Sequence, residues 1–325
     1  MNLEQHLKAA WDRRKAYVKA GGLQAYRLAN REEISNGEAG KAVGVDVYGD
    51  YGVLQLYDPL VSVFFLEELE EILSREFRLK RFFHKNRYRV KDSPEAGGEL
   101  GEPPVELEVE EYGHKFLVNL NNYLDTGLFL DHRETRRRVA QMVEVFGAMQ
   151  GRGARVLNLF AYTGSFSVYA AAAGAEMTHT VDLSKTYCDW ARRNLDLNGF
   201  APAKNWVYRM DTFEFYKYAA RKGLRFDLII IDPPTFSRNK GNNFSVMRDQ
   251  VALIEGAAEL LDADGQMIFS NNCLDFELDE EIRNKYKVQD IQSETVPLDF
   301  WIDTQKNDFW KNQQQIHNCY LIGRK

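Results

Sequence analysis

Cysteine is scarce in this chain of 325 residues, which has three thiols, at Cys188, Cys273 and Cys319. They are too few and too far apart in sequence for a disulfide framework or a structural zinc site. We therefore expect no metal centre, and a reducing, cytoplasmic location fits best.

Long apolar runs are also missing. No stretch reaches the ~18 apolar residues that a membrane-spanning helix needs, and the first residues carry charges throughout instead of the apolar centre of a secretory signal. Hydrophobic residues make up 44% and charged residues 28%, which is typical of a globular protein with a large core. The net charge of -6 argues against nonspecific coating of nucleic acid, although local basic patches are compatible with it.

Glycine is sparse in the stretch that organises the chain, residues 155–199. An apolar run, Val156 to Phe160, is followed by a turn and a helix of small residues, and a second apolar run ends at Asp182. This pattern predicts a strand, a helix and a second strand whose carboxylate binds a ribose hydroxyl. The turn has one glycine, Gly164, where a dinucleotide site has three, and no Walker-type motif is present. A ligand with an adenosine but no pyrophosphate fits better, so S-adenosylmethionine is favoured over NAD.

From Arg155 onward, predicted strands and helices alternate regularly, which indicates a mostly parallel sheet covered by helices. The strands are predicted at 155–160, 178–182, 205–210, 226–231 and 266–271, and the helices at 165–173, 185–197, 212–222 and 246–262. The chain is expected to end in a hairpin whose last strand, near 316–322, enters the sheet antiparallel. The predicted fold class is α/β: a Rossmann-like domain over 122–325 and a smaller N-terminal α/β domain over 1–121.

The N-terminal domain is predicted from shorter patterns. A helix ends at Gly21-Gly22, alternating runs form hairpins over 42–57 and 104–120, and helical spacing covers 62–76. Residues 92–103 are rich in Pro, Gly and Glu and are expected to form a loop.

Basic and aromatic residues are interleaved between Arg75 and Lys91. Basic groups bind phosphates and aromatic rings stack on unpaired bases, so this segment is a candidate RNA surface. A strand with buried aromatics and solvated charges explains the same pattern. A polar, basic segment at 237–243 is either a loop that closes over substrate phosphates or a disordered one. The RNA-binding candidates are Arg78, Lys80, Arg81, Lys85, Arg87, Arg238 and Lys240.

Residues 122–133 follow neither helical nor strand periodicity, and they precede a helix predicted over 134–149. Gly, Asp, His and Arg are placed there among apolar residues, which favours a shaped loop with a functional role. Asp131 is also suited to cap the following helix, and the two roles are compatible.

Three acids follow predicted strands, at Asp182, Asp211 and Asp232, and are expected to meet at the carboxyl edge of the sheet. Asp182 would bond ribose hydroxyls, and Asp211 could accept a hydrogen bond from an adenine amino group. The backbone amides of residues 162–165 would line the turn that the cofactor crosses.

The string Asp232-Pro233-Pro234-Thr235-Phe236 is the most specific one in the chain. Two prolines cannot extend a strand, so they fix a rigid turn that projects the acid into the cleft. Methyl transfer to a planar nitrogen needs acceptors for the edge of the base and a stacking partner for its face. The candidate catalytic residues are therefore Asp232, Pro233, Pro234 and Phe236, and a plain strand-to-loop turn is the alternative.

Several strings of the sequence, in this order, resemble the class I S-adenosylmethionine-dependent methyltransferases of bacterial large-subunit ribosomal RNA, in particular the RlmI/RlmK group. They are NYLDTGLFLDHRETRR, LFAYTGSFSVYAA, TVDLSKTYCDWARRNLDLNG, DLIIIDPPTFS, FSNN and QIHNCYLI. The resemblance covers residues 26–322 and is weakest before Val45 and in 92–103. It implies S-adenosylmethionine as cofactor, large-subunit ribosomal RNA as partner, and an N-terminal region that helps to hold the RNA.

Carried over by position, the cofactor site implied by the resemblance has three parts besides the acids. It includes Arg133, the turn after the first strand and the residues that follow Asp182. The implied cofactor-binding residues are Arg133, Phe160, Ala161, Tyr162, Thr163, Gly164, Ser165, Asp182, Leu183, Ser184, Asp211 and Asp232. In the fused relatives a separate module binds RNA, and no such module lies within these residues.

The product implied by the resemblance is 7-methylguanosine, and 5-methylcytidine is the alternative. Methylating a pyrimidine C5 needs a thiolate that adds to C6, whereas guanine N7 already has a lone pair. In the cytidine relatives the nucleophile matches the position of Asn271, so we interpret Cys273 as non-nucleophilic. At the position of Cys273 the family usually has a basic residue. A non-catalytic RNA-binding assembly factor with a vestigial cofactor fold is the remaining alternative.

Overall fold

The computed structural model describes residues 1–35, 38–88, 103–239, 242–273, 275–301 and 316–325. The chain forms two compact units, of which the first comprises Met1–Leu130 and Pro297–Lys311 and the second comprises Asp131–Val296 and Asn312–Lys325. The loop predicted at 92–103 lies outside the described residues except for its last residue. Within the described ranges, no helix has the length and apolar character needed to cross a membrane.

Along the chain, the first unit runs to Leu130, whereas the sequence placed the domain boundary at residue 121. The difference arises because the loop after residue 121 is bonded into the first unit. The Asn119 N–H donates to the Thr126 carbonyl at 2.8 Å, and the hydroxyls of Tyr48 and Thr126 lie 2.8 Å apart. A second difference, the return of Pro297–Lys311 to the first unit, has no counterpart in the sequence pattern.

The first unit is built on a four-stranded sheet in the order β1-β2-β3-β4. Its elements are α1 (Leu3–Ala20), β1 (Ala25–Ala29), α2 (Arg31–Ser35), β2 (Val43–Tyr48), β3 (Tyr51–Leu56), α3 (Val63–Phe77), β4 (Arg81–Asn86), β5 (Glu106–Glu111) and β6 (His114–Asn119). β2 and β3 form the first predicted hairpin, β4 joins β3 in parallel, and β5 and β6 form the second hairpin apart from this sheet. β1 was not predicted, because its inward-facing Arg27 breaks the apolar alternation; Arg27 pairs with Asp46 at 2.5 Å.

The helices of the first unit begin at good capping residues. Asn2 and Gln5 form a capping box at the start of α1, and the Ser62 side chain accepts from the backbone of Phe65 at the start of α3. Both helices bury an apolar face in one core, which includes Leu7 of α1 and Leu69 of α3. That core holds the elements of the first unit together.

Two buried arginines of the first unit, Arg14 and Arg27, are paired with acids, which offsets the cost of their burial. Arg14 is fully buried and binds Glu33 at 2.7 Å. The returning segment contributes to the same network, since Arg14 Nε donates to the Asp299 carbonyl at 2.7 Å and the Arg27 N–H donates to the Asp299 carboxylate at 2.9 Å.

The second unit contains the elements predicted from Arg155 onward and several short ones that were not predicted. They are α4 (Arg133–Gln150), β7 (Arg155–Leu159), α5 (Ser165–Ala172), β8 (Met177–Asp182), α6 (Lys185–Leu197), β9 (Asn205–Arg209), α7 (Thr212–Lys222), β10 (Phe226–Ile231), β11 (Phe236–Asn239), β12 (Asn242–Ser245), α8 (Val246–Leu260), β13 (Leu261–Asn271), α9 (Glu280–Lys285), β14 (Tyr286–Asp290), α10 (Gln292–Thr295) and β15 (Asn318–Arg324).

Seven strands of the second unit form one sheet in the order β14-β15-β13-β10-β7-β8-β9. β13, β10, β7, β8 and β9 run parallel, and β15 lies antiparallel between β13 and β14. The predicted α/β class and the antiparallel last strand are confirmed.

Both faces of this sheet are covered, which explains why its central strands are apolar throughout. Along β10, Ile229 and Ile231 join one core cluster, whereas Leu228 and Ile230 join another. From β7 the chain proceeds through β8 to β9 and then returns to β10 on the other side. This reversal opens a crevice at the carboxyl ends of β7 and β10, which is where open α/β sheets bind ligands.

Candidate active site

The turn between β7 and α5 has an unusual backbone. Phe160 and Tyr162 have φ values of 54° and 51°, which bulky residues seldom adopt. Gly164 has φ 76°, and a Cβ there would lie 2.8 Å from the Ala191 Cβ, so glycine is required for two reasons. The turn is pinned to β8, because the Ala161 N–H donates to the Val181 carbonyl at 3.0 Å.

Asp182 ends β8 beside this turn. Its Oδ2 accepts from the Tyr162 N–H at 2.9 Å, and its Oδ1 accepts from the Ser184 N–H at 2.8 Å. Burial raises the pKa of Asp182, and these backbone donors oppose the rise. Each carboxylate oxygen keeps further acceptor capacity, so the group is fixed in direction and suited to a pair of ribose hydroxyls.

The two residues after Asp182 form the start of α6. Ser184 is the N-cap, since its side chain accepts from the Tyr187 N–H at 3.3 Å. Leu183 is 47% exposed, although it is apolar. The rings of Tyr162 and Tyr187 meet edge to face at 4.5 Å, so the turn after β7 and the start of α6 present aromatic and apolar surface next to Asp182.

Asp211 follows β9 and caps α7. Its Oδ1 accepts from the backbone N–H groups of Phe213 and Glu214 at 2.9 and 3.3 Å. The capping role explains the residue by itself. A role toward an adenine amino group stays a prediction, for which Oδ2 is the relevant atom.

Asp232 follows β10 at the crevice. Burial raises its pKa, and nearby His132, with Nε2 3.8 Å from Asp232 Oδ1, opposes the rise. Pro233 is buried and Pro234 is exposed, while the Phe236 side chain is 50% exposed. A half-buried carboxylate and an exposed ring thus flank a rigid turn, which is the arrangement predicted for holding a base.

The segment that begins at Phe236 is a hairpin of β11 and β12, where the sequence predicted either a loop that closes over substrate phosphates or a disordered one. The ring of Phe244 on β12 packs against Phe160 in the turn after β7, with centroids 5.5 Å apart. The hairpin is therefore in contact with the candidate cofactor turn. Of the two predicted RNA-binding residues here, Lys240 and the side chain of Arg238 lie outside the described part of the chain.

Arg133 is the first residue of α4 and is fully buried in the second unit. The N-cap of α4 is His132 and not Asp131, so the predicted cap was wrong by one residue. A short 3-10 turn over residues 130–132 precedes the helix and shifts its start.

The end of β13 shows where the two product hypotheses differ. Asn271 is buried, and its Oδ1 accepts from the Cys273 N–H at 3.0 Å and from Asn318 Nδ2 at 3.1 Å. The Cys273 side chain is partly buried against the apolar core. Cys188 and Cys319 are buried, as core positions are.

The predicted RNA surface on β4 is divided by the structure. Lys85 is buried, with its ammonium donating to the Tyr123 carbonyl, and burial lowers its pKa to about 8. Arg87 pairs with Asp125 at 2.7 Å. Lys85 faces inward on β4, and Arg87, just after the strand, donates to Gln55 and Asp125, so both side chains have protein partners. Arg78, Lys80 and Arg81 are exposed, and the interleaved rings of Phe77, Phe82, Phe83 and Tyr88 pack into the core or are buried.

Sequence reasoning missed the histidines of this site. His132 and His317 stack with centroids 4.7 Å apart and an interplanar angle of 15°. The strings DHR and QIHN contained both residues, but nothing in either string shows that they meet. Their pairing depends on β15 entering the sheet beside β13.

Comparison with known proteins agrees with this geometry. A family model described as S-adenosylmethionine-dependent methyltransferase matches residues 76–304. Ribosomal RNA large subunit methyltransferase K of Neisseria meningitidis is 39% identical over 95% of this chain and 83% of its own length. Ribosomal RNA large subunit methyltransferase K/L of Vibrio campbellii is 40% identical over 86% of this chain, which spans only 38% of that relative.

A solved structure supports the cofactor assignment. A methyltransferase crystallised with S-adenosylhomocysteine superposes with a TM-score of 0.76 and 27% identity, over 98% of this chain and 80% of that one. S-adenosylmethionine is thus the cofactor of this fold as well as of the matching family. The chain belongs to the S-adenosylmethionine-dependent methyltransferase family that includes the ribosomal RNA large subunit methyltransferases K and K/L.

Proposed function

We propose that this protein methylates N7 of a guanine in large-subunit (23S) ribosomal RNA, in the cytoplasm. The RNA class is supported by the names of the relatives, which match most of this chain. The guanine N7 product is supported by the residues at the ends of β10 and β13. In the proposed activity, the RNA substrate is therefore inferred from the family, and the methylated atom is inferred from residues of this chain.

The described residues fit the cofactor. The fixed carboxylate of Asp182 is suited to the ribose, and the turn over 160–165 has one glycine where a pyrophosphate-binding turn has three. Leu183 and Tyr162 offer apolar surface beside it, and buried Arg133 offers a cation for a carboxylate. When bound, S-adenosylmethionine supplies an electrophilic methyl group.

The identity of Asn271 is the observation that favours methylation at guanine N7 over methylation at cytidine C5. C5 transfer needs a thiolate at the end of this strand, and the matching position holds a buried amide whose oxygen is bonded to Cys273 and Asn318. An amide cannot add to a pyrimidine ring. N7 of guanine needs no such addition, because its lone pair attacks the methyl group directly.

The Asp232 carboxylate also favours guanine. A carboxylate has only acceptors when ionised, and the edge of guanine presents N1–H and N2–H as adjacent donors. The edge of cytosine presents one amino donor beside an acceptor, which a carboxylate matches less well. Phe236 is exposed enough to stack on the base.

The alternative, cytidine C5 methylation, requires Cys273 as nucleophile. Its partly buried side chain lies two residues beyond the position that the family uses. A test in vitro separates the two products. Purified protein, labelled S-adenosylmethionine and a large-subunit rRNA transcript should give label in 7-methylguanosine and a backbone break after borohydride and aniline. Label in 5-methylcytidine would overturn the proposal.

A further inference from the structure

Two stacked histidines of the second unit, of which His132 lies beside Asp232, have no part in the function as described. His132 is 2% exposed and His317 is fully buried, and their rings stack. His132 occupies the N-cap position of α4, yet its side chain makes no cap hydrogen bond. His317 directly precedes β15, whose first residue pairs with Asn271 at the end of β13. His132 also packs edge to face on Phe166, with ring centroids 6.0 Å apart.

The hydroxyl of Thr295 contacts His317. Its oxygen lies 3.1 Å from the Ile291 carbonyl, 3.2 Å from the Gln292 carbonyl and 2.9 Å from His317 Nε2. The other ring nitrogen, His317 Nδ1, lies 4.0 Å from the Asp131 carboxylate. Burial and the neighbouring His132 together lower the pKa of His317 to about 3, so the His317 ring is neutral.

His132 lies between two carboxylates. Its Nε2 is 3.8 Å from Asp232 Oδ1 and 4.0 Å from Asp131 Oδ2. These distances are too long for direct hydrogen bonds, but they suit an electrostatic contact or one bridging water. His132 is therefore placed to act on Asp232.

Other polar and charged groups near Asp232 also affect its pKa, and they come from the 3-10 turn, α4, β13 and β15. Asp131 of the 3-10 turn raises its pKa further, whereas Ser270 of β13 and Arg136 of α4 lower it. Cys319 of β15 faces the same carboxylate, and burial raises the pKa of this thiol to about 12, so it stays neutral. His132 is thus one of the few groups here that favour an ionised Asp232.

We propose that His132 is a positioning residue for the methyl transfer. Its imidazole, 3.8 Å from the carboxylate, favours the ionised form of Asp232 by electrostatic contact, and the stacked ring of His317 holds the His132 ring in place. The proposal rests on the proposed function, because it takes Asp232 as the group that contacts the base.

A metal ion is the competing explanation for this cluster. Among the described residues, Asp131, His132 and His317 bring three possible ligand atoms within 4.8 Å of one another. An ion must lie near the plane of each imidazole that binds it. Two rings stacked at 15° cannot both point at one ion without a large rotation.

A carboxyl titration tests the proposal without relying on activity. ¹³C labelling of aspartate carboxyls, with the Asp232 signal assigned by Asp232→Asn, gives the ionisation midpoint of Asp232. The midpoint should rise in His132→Phe and stay unchanged in His179→Phe, which removes another buried, stacked histidine of the same unit. An unchanged midpoint in both His132→Phe and His132→Gln would overturn the proposal, and the Gln variant serves where Phe fails to fold.

Kinetics supply the second measurement. In His132→Phe we expect kcat/KM for RNA to fall about 10- to 100-fold, the acid limb of its pH profile to move up, and the affinity for S-adenosylhomocysteine to stay as in the wild type. Equal loss of RNA binding and cofactor binding would indicate a structural role for His132. Activity that a chelator abolishes and Zn²⁺ restores would indicate a metal site. Either result would overturn the proposal. If the wild type makes no 7-methylguanosine, the proposed function fails, while the titration still decides the effect of His132 on Asp232.

Discussion

The carboxylate of Asp182 at the end of β8 is held by the turn after the neighbouring strand, because its Oδ2 accepts from the Tyr162 N–H at 2.9 Å. This hydrogen bond joins the end of β8 to the turn after β7. It fixes the Asp182 carboxylate relative to the backbone of the turn that the cofactor crosses. The left-handed φ of Tyr162 accompanies this bond. Cofactor affinity should therefore depend on both residues at once.

Substitution of Asp182 tests this relationship. In Asp182→Asn one oxygen becomes an NH2 group, which cannot accept from a backbone N–H or from a ribose hydroxyl. Loss of a charge-assisted hydrogen bond costs ~1.5–3 kcal/mol, so the Kd for S-adenosylhomocysteine should rise about 10- to 100-fold by calorimetry. Asp189→Asn is the matched control, because this exposed acid of α6 pairs with Lys185 at the surface, 2.5 Å away. Equal affinity in both variants would contradict the ribose role.

A comparison of two glycines separates the effect of backbone conformation on stability from the effect of packing. Gly164 lies in the cofactor turn, and Gly174 follows α5. Gly164 and Gly174 both have positive φ, but only a Cβ at Gly164 meets a neighbour, at 2.8 Å from Ala191. Each Gly→Ala change should cost ~1 kcal/mol for the left-handed backbone, and Gly164→Ala should cost ~1–3 kcal/mol more for overpacking. Urea unfolding measures both. The account of the turn would be wrong if Gly164→Ala were no more destabilising than Gly174→Ala.

The basic residues of the first unit should separate into RNA ligands and structural groups. Lys80 and Arg81 are exposed, whereas Lys85 is buried on the Tyr123 carbonyl. Lys80→Ala with Arg81→Ala should weaken RNA binding and reduce the slope of log K against log salt by about one per lost phosphate contact. Lys85→Met should leave that slope unchanged and alter stability only. RNA binding that depends on Lys85 and not on the exposed pair would reverse this assignment.

The buried side chain of His179 should make the free energy of unfolding depend on pH. It is buried on β8, stacked with Tyr208 at 5.5 Å, and burial lowers its pKa from 6.5 to about 4. The folded state holds the neutral form, so its stability is complete above pH 6.5 and is lost as the pH falls from 6.5 toward 4. Between pH 7 and 5 the loss is about 2 kcal/mol from this residue.

The corresponding variant is His179→Phe, which has no group to protonate. Its urea midpoint should fall less between pH 7 and pH 5 than that of the wild type. A fall of equal size in both proteins would show that His179 does not cause the acid sensitivity.

The order of strands and helices in the second unit could be predicted from the sequence, because apolar runs, Gly turns and capping acids are local signals. Asp182 and Asp232 were placed for the same reason, since each directly follows a buried run. The burial of Lys85 was not predicted, because alternation gives two faces but does not say which one is buried. In β4 the inner face includes both Phe83 and Lys85.

The remaining features depend on contacts between distant parts of the chain. The stack of His132 on His317 exists only once β15 has entered the sheet. The return of Pro297–Lys311 to the first unit depends on Asp299, which bonds to Arg27 far away in sequence. No local pattern encodes either pairing.

The measurement that tests the central claim most directly is mass spectrometry of nucleosides from large-subunit rRNA of cells that lack this protein. Cells complemented with the wild type or with Cys273→Ala should contain 7-methylguanosine at one further site, and cells complemented with Asp232→Ala should not. Loss of 5-methylcytidine in the deletion, restored by the wild type but not by Cys273→Ala, would contradict guanine N7 methylation.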